Sequence, residues 1–302
     1  DRAPNVIGAL KPCWAMSPLA VSRLLPVRND FFDVVIFDEA SQVLPADAVP
    51  AIMRAKQVIV AGDTRQLPPT TFFASGDFDD DDDDEEEEDF SLTQGFESIL
   101  DVMNAVLPNP AWLQWHYRSR DERLINFSNV HIYDSLLRTF PGVAGEGCIR
   151  KVTASGMEST VDKAVSIVLD HVRERPDRSL GVITTSAKMA RAIEDQVFSH
   201  VRALFSSERT GADRFFDPSN DERFFVKNIE TVQGDERDDI VLAVHLERSS
   251  DGRVYNRLGP LNQEGGERRL NVAVTRARRS VTLCSNFGFD DLAPSRFKRH
   301  GA

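Results

Sequence analysis

The chain has 302 residues, 41% of them hydrophobic, with 36 Lys+Arg, 48 Asp+Glu and a formal net charge of −12. Twelve of the acids fall between Asp77 and Asp89, leaving 36 acids against 36 bases elsewhere, so the acidity is one local feature and does not exclude a nucleic-acid partner. The hydrophobic content excludes a fully disordered protein, the length fits about two domains, and no run reaches the roughly 18 apolar residues of a membrane span.

The chain opens on Asp1-Arg2-Ala3-Pro4, neither an initiator Met nor a signal peptide, and is expected to be a piece of a longer protein. Cys13, Cys148 and Cys284 are odd in number and far apart, with no C-x-x-C pair. That pattern fits a reducing, cytoplasmic setting without disulfides or zinc, each cysteine being a small buried hydrophobe.

In chain order, Cys13–Met16 reads as a strand end, and Ser17 can cap a helix with Pro18 at its first position. Val34–Phe37 and Val58–Ala61 read as buried strands. The tract from Asp79 to Asp89 contains no apolar residue and cannot pack, so it is expected to be a mobile loop. It is either a solvated surface insertion or a nucleic-acid mimic that competes for a basic groove. Phe96, Ile99, Leu100, Met103, Val106 and Leu107 then fall on one helix face, and Pro108-Asn109-Pro110 breaks the chain at a domain boundary.

The second half repeats the alternation. Trp112–Tyr117 reads as a strand, and Ser119-Arg120-Asp121-Glu122 as a capping box. Helices are expected around 161–173 and 187–205, with strands at 181–184, 224–229 and 240–246, then a helix over 267–278 and a strand at 280–285. Alternating strands and helices make an α/β protein with parallel sheets. Residues 1–108 would form part of one lobe, 109–290 a second, complete lobe, and 291–302 a tail or linker.

Three kinds of segment carry chemistry. Asp38 and Glu39 follow an apolar strand, which puts two carboxylates at the edge where ligands of open α/β sheets bind, although strands often end in acids. A second strand leads into Gly62-Asp63-Thr64-Arg65-Gln66-Leu67-Pro68-Pro69, where the Gln66 amide can donate and accept at once. Downstream, Arg118 sits at a strand-to-helix transition, and Thr231 to Asp238 precedes a buried strand. Arg268 to Arg279 reads as a basic amphipathic helix, with Leu270, Ala273, Val274 and Ala277 inward and Arg269 and Arg276 sharing another face. Those arginines could donate in a fork to a phosphate, or simply cover a basic surface.

Taken together, these segments resemble superfamily 1 helicases, in the branch that includes the eukaryotic RNA-surveillance helicase. Asp38-Glu39-Ala40-Ser41 is similar to motif II, Gly62 to Pro69 to motif III, and His116-Tyr117-Arg118 to motif IV, where that branch usually has Gln-Tyr-Arg. Thr231 to Asp238 resembles motif V and Arg269 to Ala277 motif VI. Met16-Ser17-Pro18-Leu19 resembles the motif just upstream of motif II. Gly265 to Asn271 together with Asp38 to Gln42 looks nearest to large bacterial helicase-like proteins, many of which carry a Vsr-type endonuclease domain.

The resemblance implies a RecA-like P-loop NTPase fold, use of ATP and Mg²⁺, and single-stranded nucleic acid as partner. DNA is favoured over RNA, with 5′-to-3′ movement and no membrane. Asp38 would hold Mg²⁺, Glu39 would be the general base, and Gln66 would couple the γ-phosphate to the nucleic-acid groove. Arg118 and Arg276 would be arginine fingers, and Gly234 and Glu236 would contact the nucleotide, Glu236 at its ribose. Ser17, Pro68, Thr184 and Thr231 stand where family members touch the nucleic-acid backbone. Thr185-Ser186 replaces the Pro-Tyr often found after Thr184 in the family, which leaves a base-stacking contact there without its aromatic ring.

One departure stands out. None of the 17 glycines is followed by lysine, so the phosphate-binding G-x-x-x-x-G-K-[ST] loop is absent. The expectation is therefore the C-terminal portion of a helicase core, inactive alone and active as an ATP-driven motor within a longer chain. The alternatives are a non-enzymatic helicase-like scaffold that binds nucleic acid, or the motor module of a helicase-nuclease whose nuclease domain lies elsewhere.

Overall fold

The computed structural model describes residues 4–69, 96–142, 147–205, 213–248, 254–255 and 258–292; the acidic tract lies outside them. The chain divides into two units, one of Asp1–Thr64 with Pro68–Ala111, the other of Arg65–Leu67 with Trp112–Ala302.

In the first unit, α1 (Pro4–Leu10) precedes α2 (Pro18–Leu24). Ser17 caps α2 as its residue type predicts, its Oγ accepting from the Ala20 N–H at 3.3 Å, with Pro18 opening the helix. The preceding residues 13–16 are not a strand, and Cys13 is exposed rather than buried. Strands β1 (Phe32–Phe37) and β2 (Ala55–Val60) pair in parallel, Val35 opposite Val58 and Phe37 opposite Val60. Helix α3 (Pro45–Ile52) connects them.

Val34–Phe37 is not the buried strand that its apolar run implies. Phe37 is buried, whereas Val34, Ile36 and Ile59 are exposed, because among the described residues this two-stranded sheet is covered on one face only. That face packs on Val21, Ala48, Ala51, Ile99 and Leu100. The last two open α4 (Ile99–Val106), which begins in a capping box between Ser98 and Asp101, with Phe96 ahead of it. Arg54, 3% exposed, donates to the carbonyls of Leu25, Pro26 and Pro50 and so ties the end of α2 to α3.

The second unit is built on a five-stranded, all-parallel sheet in the order β5–β9–β8–β6–β7: β5 (Ile149–Thr153), β6 (Leu180–Thr184), β7 (Phe225–Asn228), β8 (Arg237–Val244) and β9 (Ala277–Ser285). Every residue of β6 and β8 is buried, as expected of central parallel strands covered on both faces. Helices α6 (Met157–Glu174) and α7 (Ala187–Phe205) supply Val165, Val168, Ile193 and Val197, and the short α8 (Asp213–Phe216) supplies Phe215, to a core shared with Leu180, Val182, Val241 and Cys284. Cys148 is buried as well.

Three local expectations need correction. Trp112–Tyr117 is a strand only at Trp115–His116 (β3), which pairs with β4 (Arg138–Thr139); Trp112 and Leu113 find no partner strand and are exposed. Ser119 does not cap a helix, because its N–H and hydroxyl are both engaged with the His116 ring, and α5 starts later, at Arg123–His131. The 267–278 helix is α9 (Gly266–Val274), already ended by Thr275, whose hydroxyl donates to the Asn271 and Val272 carbonyls. Pairing of Ala277 with Arg237 then begins β9.

Candidate nucleotide and nucleic-acid sites

In the first unit, the buried Phe37 ends β1 and the next two residues are the exposed carboxylates Asp38 and Glu39. Two backbone bonds join the strand ends: the Ala61 N–H donates to the Phe37 carbonyl at 2.8 Å, and the Ala40 N–H to the Ala61 carbonyl at 2.9 Å. Between them the chain turns sharply, with Glu39 in the left-handed region at φ 51° and the Asp38 Oδ1 accepting from the Glu39 N–H at 3.0 Å. A non-glycine residue there carries strain on the order of 1–2 kcal/mol, the kind of cost that concentrates at functional sites. The turn Ala40–Gln42 then packs on Gly62, where a Cβ would stand 3.0 Å from the Ala40 nitrogen and 3.1 Å from that of Ser41. Glycine lets the end of β2 approach this closely, which holds both acids at the carboxyl edge of the sheet. Of the proposed strand-contacting residues of this unit, Ser17 is exposed and Pro68 is buried.

In the second unit, Gln66 is half-buried within the short segment Arg65–Leu67. Arg118 follows β3 and Glu236 precedes β8, and the fold brings them together, Nε to Oε2, at 2.6 Å. Arg278 lies 3.7 Å from the same carboxylate and 2.6 Å from Glu222. The Glu222 hydrogen bond raises the Arg278 pKa, and the Arg278 hydrogen bond in turn lowers that of Glu222. Beside Arg118, the Ser119 N–H donates to His116 Nε2 at 3.2 Å, so that nitrogen carries the lone pair. Burial, then the Arg118 charge, push the His116 pKa from 6.5 down to about 4, and the ring is neutral at pH 7.

Thr184 ends β6 opposite Asn228 at the end of β7. Asn228 Oδ1 accepts from the N–H groups of Glu230 and Thr231 and from the Thr231 hydroxyl, an Asx turn that fixes the start of the 231–238 loop. Thr231 is exposed on this loop, and Gly234 supplies its positive φ of 83°. Thr184, by contrast, is 0% exposed and its hydroxyl donates to the Ser186 carbonyl, so in this arrangement the side chain presents nothing to a strand.

Arg269 and Arg276 do not share a helix face, since α9 ends between them. Arg269 is 1% exposed, 3.3 Å from Glu230 Oε1, and donates to the Glu264 carbonyl, so it braces the loop after β7. Arg276, 2% exposed, sits just beyond the helix C-terminus, where its Nε donates to the Val272 carbonyl at 2.9 Å and its charge faces the negative end of the helix dipole.

Arg54, Asn228 and Arg269 are structural residues that periodicity did not reveal; only the Asn before Thr231 carried a turn signal. Among the described residues no group of three His, Cys, Asp or Glu could hold a metal ion, and no helix is long and apolar enough to cross a membrane.

Two family models, each described as an AAA domain, match residues 19–73 and 151–287. The chain is 34% identical over 288 residues to the uncharacterized ATP-dependent helicase MG140 of Mycoplasma genitalium, covering 92% of this chain and 25% of that protein. It is 25% identical over 299 residues to the DNA-binding protein SMUBP-2 of Rattus norvegicus, covering 92% and 28%. The helicase of PRRSV, a solved structure, aligns with 87% of this chain and 36% of that one at 16% identity, with a TM-score of 0.39. The chain thus spans about a quarter of the length of the curated relatives it matches.

Proposed function

The chain belongs to the superfamily 1 helicase cores, and from that membership we propose that it is the C-terminal portion of an ATP-dependent motor that moves along single-stranded nucleic acid. The observation that carries the proposal is the carboxylate pair Asp38–Glu39 at the carboxyl edge of β1, presented by a strained turn that Gly62 allows. In this reading Asp38 holds Mg²⁺. A single exposed carboxylate suits that role, since Mg²⁺ is ordinarily held by one or two carboxylates together with substrate phosphates. Bound Mg·ATP would supply the transferable phosphoryl group.

The chain's own residues position and polarise it. Glu39 takes the proton of the attacking water, Gln66 orients that water against the γ-phosphate, and Arg118 and Arg276 stabilise charge on the equatorial oxygens. Gly234 and Glu236 line the nucleotide from the loop before β8. Ser17 and Thr231, both exposed, contact the strand's phosphates, while Pro68 and Thr184 shape the backbone that does so. DNA is the favoured strand, on the likeness to the DNA-binding relative. The division at 108/109 into a partial first RecA-like lobe and a complete second one belongs to the same proposal.

The test uses a longer protein that contains this chain and a phosphate-binding loop. ATP turnover should rise with single-stranded DNA, and Glu39→Gln should lower kcat by about a hundredfold or more while nucleotide still binds. Turnover that Glu39→Gln leaves intact would sink the proposal, and stimulation by RNA alone would replace DNA as the strand.

A further inference from the structure

We infer that Asn271 is a positioning residue that holds the Arg65–Gln66 peptide in register with the helix end that carries Arg276. The inference rests on the roles of Gln66 and Arg276 proposed above. Asn271 lies in α9 and is 1% exposed. Its amide nitrogen donates twice, to the Arg65 carbonyl at 2.9 Å and to the Tyr133 hydroxyl oxygen at 2.9 Å. Its amide oxygen is buried with no hydrogen-bond partner among the described residues.

That arrangement costs free energy, because a buried acceptor has left water without replacement. A leucine of similar size would avoid the cost on the buried side of an amphipathic helix. The amide is explained by what its nitrogen grips. The Arg65 carbonyl belongs to the planar peptide unit whose other end is the Gln66 N–H, so fixing that oxygen fixes the plane from which Gln66 projects.

The same residue reaches Arg276 through its backbone. The Asn271 carbonyl accepts from the Thr275 hydroxyl at 2.8 Å, and that hydroxyl oxygen accepts from Arg276 Nη2 at 3.2 Å. A continuous hydrogen-bonded path therefore runs from the Arg65 carbonyl, through Asn271 and Thr275, to the Arg276 guanidinium. The Tyr133 hydroxyl, just beyond α5, accepts the other amide hydrogen and lies off this path. A residue acting this way leaves nucleotide binding alone and changes how well water and phosphoryl group are aligned.

The experiment is a double-mutant cycle on DNA-stimulated ATP hydrolysis in the longer protein, with kcat and KM measured for the parent, Asn271→Asp, Gln66→Ala and the pair. Asn271→Asp keeps the shape but replaces the donor with an acceptor. It should lower kcat on the order of tenfold, with the KM for ATP within about twofold, both read well below a melting midpoint that the buried carboxyl group itself lowers. Combined with Gln66→Ala it should add little to the loss from Gln66→Ala alone. Tyr133→Phe, which keeps the Arg65 contact, should leave kcat within about twofold. Losses that multiply, an unchanged kcat in Asn271→Asp, or an equal loss in Tyr133→Phe would each overturn the inference. A parent protein without turnover sensitive to Glu39→Gln would instead overturn the functional reading, and this inference with it.

Discussion

Arg118 and Glu236, 118 residues apart in sequence, share a hydrogen-bonded ion pair of 2.6 Å. Their side chains are 34% and 40% exposed, so water screens the pair and its contribution to stability is about 1 kcal/mol or less. Glu236→Gln should accordingly move the melting midpoint by no more than about 4 °C, by calorimetry. Arg118→Ala should cost a similarly small amount of stability while lowering ATP turnover in the longer protein by about a hundredfold or more. A large loss of stability in either variant would mark the pair as a structural anchor and remove the case for Arg118 as a finger.

His116 gives the second unit an acid-sensitive contribution to stability. Its folded pKa of about 4 lies below its ordinary 6.5, so between those values the unfolded chain binds a proton that the folded chain does not. Stability from this group is complete above pH 6.5 and is lost as pH falls toward about 4. Denaturant unfolding at about pH 7 and about pH 5 should show a smaller drop in His116→Gln than in the parent. Equal drops would place the ring outside the folded state's proton balance.

Gly62→Ala tests the turn that presents the carboxylates. The added methyl would meet two backbone nitrogens, of Ala40 and Ser41, and the Leu100 side chain at 3.0 Å. Backbone cannot step aside as a flexible side chain can, so the substitution should destabilise by about 1–3 kcal/mol in chemical denaturation. A loss under about 0.5 kcal/mol would mean the turn relaxes freely and does not hold Asp38 and Glu39 rigidly.

Much of the second unit is legible from local pattern. The apolar runs 181–184 and 240–244 and the amphipathic stretches around 161–173 and 187–205 correspond to β6, the apolar part of β8, α6 and α7. Pattern failed where partners were scarce or distant. Trp112–Leu113 has strand-like residues but only two positions of β4 nearby to pair with, and Val34–Ile36 has an apolar run but one covered face. The first three residues of β8, Arg237, Asp238 and Asp239, are charged yet buried, because arginines, serines and carbonyls from other elements meet them. No window of neighbouring residues contains that information.

The sequence by itself determined the α/β alternation over much of the chain, the placing of two carboxylates after an apolar strand, and the neutrality of everything outside the acidic tract, because each is written in composition, period or adjacent residues. Only the tertiary structure decided which charges are committed. Arg269 is buried on Glu230, Arg118 is held by Glu236, and Asn271 reaches the carbonyl of Arg65 across 206 positions of chain. The physical reason is that a hydrogen bond needs its partner within about 3 Å in space and is indifferent to separation along the chain, so the fold alone brings such partners together.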